Sequence, residues 1–321
     1  MHTDELLRKP FTLALGGGGA RGLAHIGVLK VLEAHGLLPS LIVGSSMGAI
    51  VGAMYSQLRD SSRVQKLIEA MLYRDCFTNL RLDLMHEDSL TDDLPSKKHL
   101  LDYLRLGLYF SRAVTKWGAI ENSILIRLLS RLLKNEDIKN SKIPFVAVAV
   151  SLVTGEEKLL ADGPIIKAVA ASSAIPGVIT PVEIDGDILI DGSVLQVVPV
   201  YAAKSMSSNP ILAVDVSRGF IHENLPKTGF DVILRAGLIA NRRLNMQLLK
   251  EADLIITPDV SNAEWSDFHS ISRLIEAGEK AAQLTFEKEG NIRSLTPVSY
   301  DKTIIDNSKF QRFNSSFLSV Q

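Results

Sequence analysis

Cysteine is nearly missing: Cys76 is the single thiol in 321 residues, which excludes an intramolecular disulfide and any cysteine-based zinc site. Cys76 lies in Tyr73-Arg74-Asp75-Cys76-Phe77 with no glycine turn to present it, so it reads as a packing residue and not as a nucleophile. An excess of one charge is missing too. Lys and Arg number 35 against 36 Asp and Glu, a formal net charge of −1; no bulk field recruits nucleic acid, and membrane contact has to be local. No stretch reaches the ~18 to 20 apolar residues of a membrane span. The first residues carry Asp4 and Glu5 where a secretory leader would be basic, and the apolar run Phe11 to Leu15 is too short for a leader core. The expectation is a cytoplasmic chain that makes at most peripheral contact with a membrane.

Apolar residues make up 46% of the chain, enough for one large α/β domain or two modest ones. Phe11 to Leu15 and Leu41 to Val43 are short apolar runs that predict buried strands. Ala20 to His35 carries Leu23, Ile26, Val28, Leu29 and Leu32 at helical spacing and stops at Gly36, and Met47 to Leu58 suits a helix packed on a sheet. This β-α-β-α order is the signature of a parallel sheet. Further strands are predicted at 145–150, 158–160, 211–214 and 254–257, with a hairpin over 182–190 turning at Asp185-Gly186. Helices are predicted at 124–133, from about Pro226 to Glu251, and from Trp265 to Phe286. No linker divides the chain. The expected architecture is one three-layer α/β/α sandwich with a mostly parallel central sheet over 1–290, including a helical part at 226–290. A charged surface excursion or lid-like insertion occupies 74–118, and a polar tail 291–321.

Residues 16–22 read Gly-Gly-Gly-Gly-Ala-Arg-Gly between a strand and a helix. Gly17, Gly19 and Gly22 satisfy the G-x-G-x-x-G dinucleotide pattern, but the second strand ends in Gly44-Ser45-Ser46 where that fold needs an acid for the ribose. A phosphate-binding P-loop fails as well, because Leu23 follows Gly22. What survives is a run of backbone N–H groups at a helix start, able to hold a phosphate or the oxyanion of an acyl transfer. The plain alternative is a tight strand-to-helix turn.

Gly44-Ser45-Ser46-Met47-Gly48 matches G-x-S-x-G between a predicted strand and helix. The flanking glycines allow a sharp turn that lifts the Ser46 hydroxyl clear of the sheet, and the Met47 N–H is a natural oxyanion donor. Two parallel strands would bring this elbow and the glycine loop to the same sheet edge. The alternative is a helix-start turn in which Ser45 or Ser46 only caps. A serine hydroxyl needs a base, and the histidines downstream are His86, His99, His222 and His269. None follows a convincing strand, and each reads as a surface or packing residue.

Gly17 to Gly22, the Gly44 to Gly48 elbow, Ala170-Ala-Ser-Ser-Ala-Ile-Pro-Gly177 and Asp191-Gly192-Ser193 stand in order along the chain. With these blocks the sequence resembles the bacterial patatin-like phospholipases, related to plant patatins and to the catalytic domain of neuropathy target esterase. The resemblance runs over about 11–286 and implies a patatin-like fold. It implies a serine lipid acyl hydrolase of phospholipase A, lysophospholipase or carboxylesterase type, acting through an acyl-enzyme on a lipid or fatty acyl ester. It also implies a Ser46–Asp191 dyad without histidine, an oxyanion hole from Gly17, Gly18 and Gly19 with the Arg21 amide nearby, and no metal or other cofactor. Read from its own residues, Asp191 is a turn residue after the strand Ile188 to Ile190. Two positions depart from the family pattern. Ser193 stands where glycine is more usual and Val197 where asparagine is expected, and both predict looser support around Asp191. Two other readings stay open: a catalytically weak lipid-binding or regulatory protein on the same fold, and a Ser-His-Asp α/β-hydrolase. The segment 99–117 mixes aromatics and leucines with Arg105, Arg112 and Lys116, which suits an interfacial lid helix or a helix packed on the sheet. Nothing in the sequence sets the oligomeric state.

Overall fold

A computed structural model describes residues 9–73, 116–217 and 229–288. Cys76, His86, His99, His222, most of the 74–118 excursion and the 291–321 tail lie outside the described residues. In chain order the strands are β1 (Thr12–Leu15), β2 (Leu41–Ser45), β3 (Gly118–Ile120), β4 (Phe145–Ser151), β5 (Glu157–Leu160), β6 (Gly177–Ile179), β7 (Val182–Ile184), β8 (Asp187–Asp191), β9 (Ile211–Val214) and β10 (Leu254–Ile256). The helices are α1 (Ala24–Ala34), α2 (Met47–Leu58), α3 (Ser61–Tyr73), α4 (Asn122–Leu132), α5 (Ile165–Ser172), α6 (Val200–Met206), α7 (Gly229–Leu248) and α8 (Ile271–Lys288).

Eight strands form one sheet in the order β10-β9-β1-β2-β4-β8-β7, with β5 also on β4; β3 and β6 pair separately. From β10 to β4 every pairing is parallel, and β5, β7 and β8 join antiparallel. The central strands are buried on both faces, as parallel strands covered by helices must be, and their side chains alternate between two cores. Leu13, Leu15, Ile42, Phe145, Ala147, Leu212 and Val214 point into a large core filled by α1, α2, α3, α4, α5 and α8. Ala14, Leu41, Val43, Val146, Val148, Ile211 and Ala213 point into a thinner one closed by Val198, α6 and Leu249. This is the expected three-layer sandwich with a mostly parallel sheet. Burial of each large side chain in these layers contributes roughly 2 kcal/mol.

The Asp185-Gly186 hairpin forms between β7 and β8, with both turn residues at positive φ (51° and 81°), the combination a two-residue hairpin loop favours. Two predicted helices start late. The stretch from Ala20 opens as a 3-10 turn over Gly19–Leu23 before α1 begins. The stretch from Trp265 becomes helical only through the Phe268–Ser270 turn and α8, so His269 sits in that turn, exposed, and not inside the helix. In both places a tight turn presents backbone groups to the other segment: the Ala20 N–H donates to the Trp265 carbonyl at 2.6 Å. Among the described residues no helix is long and apolar enough to cross a membrane.

Candidate functional site

The register of β4 builds the site. On one edge of β4, β2 runs parallel and ends with Ser45 opposite Val148. On the same edge β8 arrives antiparallel, and its last residue, Asp191, lies opposite Ala149. The carboxyl ends of the two strands therefore meet head-on at adjacent β4 residues, one delivering Ser46 and the other Asp191. The segment 172–174 clamps both: the Ser46 N–H donates to the Ser172 carbonyl at 3.1 Å, and the Asp191 N–H to the Ala174 carbonyl at 3.0 Å. Ser172 Oγ also accepts from the Ser46 N–H (3.2 Å), and Ser173 Oγ donates to the Ser46 carbonyl (3.3 Å).

Ser46 has φ 54° and ψ −124°, a left-side conformation that costs a non-glycine residue about 1 to 3 kcal/mol. The start of α2 holds it there, since the Ser46 carbonyl accepts from the Ala49 and Ile50 N–H groups at 2.9 and 3.1 Å. The turn packs so tightly that a Cβ on Gly48 would collide with the Leu15 carbonyl. Gly44 also lies close against the Ala49 backbone, Gly22 against the Met47 side chain and Gly192 against the Val148 carbonyl. The strand–elbow–helix geometry is that of a nucleophile presented at a helix N-terminus.

Ser46 and Asp191 are both buried, and the Ser46 hydroxyl lies beside the Asp191 carboxylate, near enough to pull its pKa down against burial. Burial raises the Asp191 pKa from 3.8 to about 6, against the pull of bonds from the Ser193 N–H, the Ser46 hydroxyl and the Ser193 hydroxyl. The Ser193 N–H lies 2.8 Å from Asp191 Oδ1, and Ser193 Oγ is also 3.1 Å from Ser45 Oγ. The serine that departs from the family pattern thus joins both strands of the site: its N–H holds the Asp191 carboxylate and its hydroxyl pairs with Ser45 Oγ, a link a glycine would not make. Val197 contributes through its backbone: its carbonyl accepts from the Gly17 N–H at 2.8 Å, a contact that does not depend on the side chain. Asn241 on α7 donates to the Ser193 and Val194 carbonyls at 2.6 and 2.9 Å, and Asn245 Oδ1 accepts from the Val198 N–H at 3.0 Å. Gln196 donates to Glu157 at 2.6 Å, and burial pushes that glutamate up to about 7.

The glycine loop passes beside this pair. A Cβ on Gly17 would strike the Ser193 hydroxyl and approach Ser46 Cβ to 3.0 Å, so only glycine lets the loop lie this close. The Gly17 N–H is committed to Val197. The N–H groups of Gly18, Gly19 and Met47, at the starts of the 3-10 turn and of α2, make no hydrogen bond among the described residues, as first-turn amides do. Arg21 folds back, its Nε donating to the Gly18 carbonyl at 3.1 Å. The loop is fixed from below by a residue that reading downstream of Ser46 passes over. His25 is fully buried on α1, and its Nε2 lies 2.7 Å from the Gly16 carbonyl. Burial lowers its pKa to about 4 against the raising effect of that bond, so at neutral pH the ring is uncharged and donates through Nε2. A lone histidine among Leu23, Ala24 and Ile26 at a helix start was the available signal. Asn241 carried none. Among the described residues, no three His, Cys, Asp or Glu side chains are grouped to hold a metal ion.

The family model described as patatin-like phospholipase matches residues 13–204, a span holding the glycine loop, the elbow and Asp191. An uncharacterised NTE family protein of Mycobacterium tuberculosis is 27% identical over 305 residues, which is 87% of this chain and 47% of that protein. A second one from the same organism is 31% identical over 205 residues, covering 64% of this chain and 48% of its own length. Patatin-like phospholipase domain-containing protein 6 of Mus musculus is 28% identical over 213 residues, 66% of this chain but 14% of that protein. Among solved structures, VipD from Legionella pneumophila superimposes with a TM-score of 0.46 at 15% identity, over 88% of this chain and 67% of that one. The chain spans about half the length of the mycobacterial relatives it matches. With well over half of its sequence matched by the family model, this chain belongs to the patatin-like phospholipase family.

Proposed function

We propose that the protein is a serine acyl hydrolase of fatty acyl esters, with Ser46 as nucleophile and Asp191 as its base. The observation that carries this reading is the meeting of β2 and β8 along β4, which sets a strained serine at a helix N-terminus beside a buried carboxylate. Ser46 Oγ attacks the ester carbonyl carbon while its proton passes to Asp191. The negative charge then rests on the former carbonyl oxygen, and the Gly18, Gly19 and Met47 N–H groups are the donors free to hold it; such donors are each worth roughly 100-fold or more in rate. Collapse breaks the bond to the alcohol, which leaves with the proton from Asp191, and an acyl-Ser46 ester remains. Water, giving a proton to Asp191, attacks that ester; collapse then breaks the acyl–Oγ bond and releases the fatty acid, and the proton returns from Asp191 to the Ser46 oxygen. A carboxylate with a pKa of about 6 is a better base than an ordinary aspartate and is still ionised at neutral pH. The fatty acyl substrate class rests on family membership.

Fluorophosphonate labelling of wild type, Ser46→Ala, Asp191→Asn and His269→Ala tests the assignment. The expected result is labelling of wild type and His269→Ala, none of Ser46→Ala, and labelling slowed by roughly 1,000-fold in Asp191→Asn. Wild-type protein that takes no Ser46-dependent label would leave a non-catalytic lipid-binding role. A dead His269→Ala with an active Asp191→Asn would replace the dyad by a histidine-based triad.

A further inference from the structure

Helix α7 is held firmly at its C-terminal end. Its C-terminal half is held by Asn241 on the Ser193 and Val194 carbonyls, by Asn245 on the Val198 N–H, and by Leu249, which follows it into the thinner core. Ahead of Asn241, the five consecutive residues Ala236-Gly237-Leu238-Ile239-Ala240 are all exposed, with Leu238 at 64% and Ile239 at 52%. Val232 and Met246 are more than half exposed as well, and they share the Ile239 face at seven-residue spacing.

Successive helical residues advance by about 100°, so five of them ring the helix completely. A protein partner covers one face of a helix; a fluid apolar medium covers all of it. A stretch apolar all round belongs in a protein core or in such a medium, and soluble surfaces rarely display an apolar run of this kind without a function. Charge favours one medium in particular. The helix carries Arg235, Arg242 and Arg243 against the single acid Asp231, in a chain whose net charge is −1. The exposed Arg243 beside exposed aliphatic residues matches an anionic bilayer surface, its guanidinium on the phosphates and the aliphatic side chains among the acyl chains. The helix is also continuous with the site, since the carbonyls that Asn241 holds belong to residues two and three beyond Asp191, and Val194 is itself exposed.

We infer that α7 is the docking element that seats the protein on an anionic phospholipid surface, with residues 236–240 immersed and Arg243 at the headgroups. Substrate would then reach Ser46 from the surface on which α7 rests, a step that builds on the hydrolase reading above; the docking itself does not.

The test uses the full chain in two assays. Flotation with vesicles of phosphatidylcholine alone, or with one third phosphatidylglycerol, is measured in a Ser46→Ala background so that lipid is not consumed. Turnover of a water-soluble butyrate ester and of phospholipid in the same vesicles is measured with Ser46 intact. The double substitution Leu238→Asp and Ile239→Asp should reduce flotation and vesicle-lipid hydrolysis at least tenfold while soluble-ester turnover stays within twofold. Arg243→Glu should weaken binding to the anionic vesicles several-fold and leave binding to phosphatidylcholine unchanged. Wild-type flotation by the double variant overturns the inference. So does a wild-type dimer, seen by analytical ultracentrifugation, that the double variant converts to monomer without changing flotation, since a second copy would then cover the run. A failed hydrolase reading looks different: flotation persists, and neither substrate is turned over in a Ser46-dependent way.

Discussion

Ser46 and Asp191 sit side by side but are held in different ways. Ser46 takes its dihedral angles from its own sequence neighbours, while Ser172 and Ser173 clamp its peptide groups. The strand before it and the first turn of α2 after it set its dihedral angles, and the packing of Gly44 and Gly48 leaves the turn no other course. Asp191 borrows its support from far along the chain: Ser45 through Ser193, the carbonyl of Ala174, and Asn241 on α7. One half of the site is stiff because it is strained and locally determined. The other is placed by contacts that any rearrangement of α7 or of the 192–198 turn would disturb. A protein built this way can protect the serine while leaving the aspartate open to adjustment.

Three substitutions sharpen or break that contrast. The largest effect is expected at Asp191. Its folded pKa is raised from 3.8 to about 6, so the stability tied to its protonation is fully present below pH 3.8 and is lost as pH rises to about 6. Asp191→Asn removes that loss. It should stabilise the protein by about 3 kcal/mol at pH 8 and by little at pH 4, as read by urea denaturation at the two values. Equal shifts at both would mean that the carboxylate is not held in a buried setting. Next comes Asn241→Ala, which removes two donors from the carbonyls beyond Asp191. We expect a loss of about 1 to 2 kcal/mol and about a tenfold drop in kcat on a soluble ester, with KM little changed. Undiminished kcat would show that the acid arm holds without α7. The smallest effect isolates the elbow: Ser46→Gly should be more stable than Ser46→Ala by about 1 kcal/mol in thermal unfolding, the reverse of the usual cost of glycine, because only glycine accepts the Ser46 dihedral angles without strain. An ordinary order, alanine above glycine, would remove strain from the description of the elbow.

The same locality explains what could be read from the residues alone. The glycine loop, the elbow and the central strands announce themselves within a few positions, by alternation, by glycine spacing and by the β-α-β order. The Asp185-Gly186 hairpin did so too. Asp191 looks like any turn aspartate, because its burial comes from strands 40 and more residues away, and only the family resemblance singled it out. Ser193 looked like a loss at a glycine position. It became a gain once Ser45, distant in sequence, lay across from it. Asn241 is one polar residue in a helix, and nothing local says that its amide reaches another loop. Helices α3, α5 and α6 also went unforeseen, the latter two being short and small-residue-rich, shaped by the sheet they cover more than by their own periodicity.

The head-on meeting of β2 and β8 along β4 has a consequence for how such a protein can diversify. The gap between serine and acid is graduated in strand residues: one residue added to β8 would carry Asp191 about 3.3 Å along the edge and turn its side chain to the opposite face. Insertions in the loops leave that graduation untouched. Variation is thus channelled away from the strands and into the connections, where chains of different length can reshape what enters the site without resetting the spacing of the two groups within it.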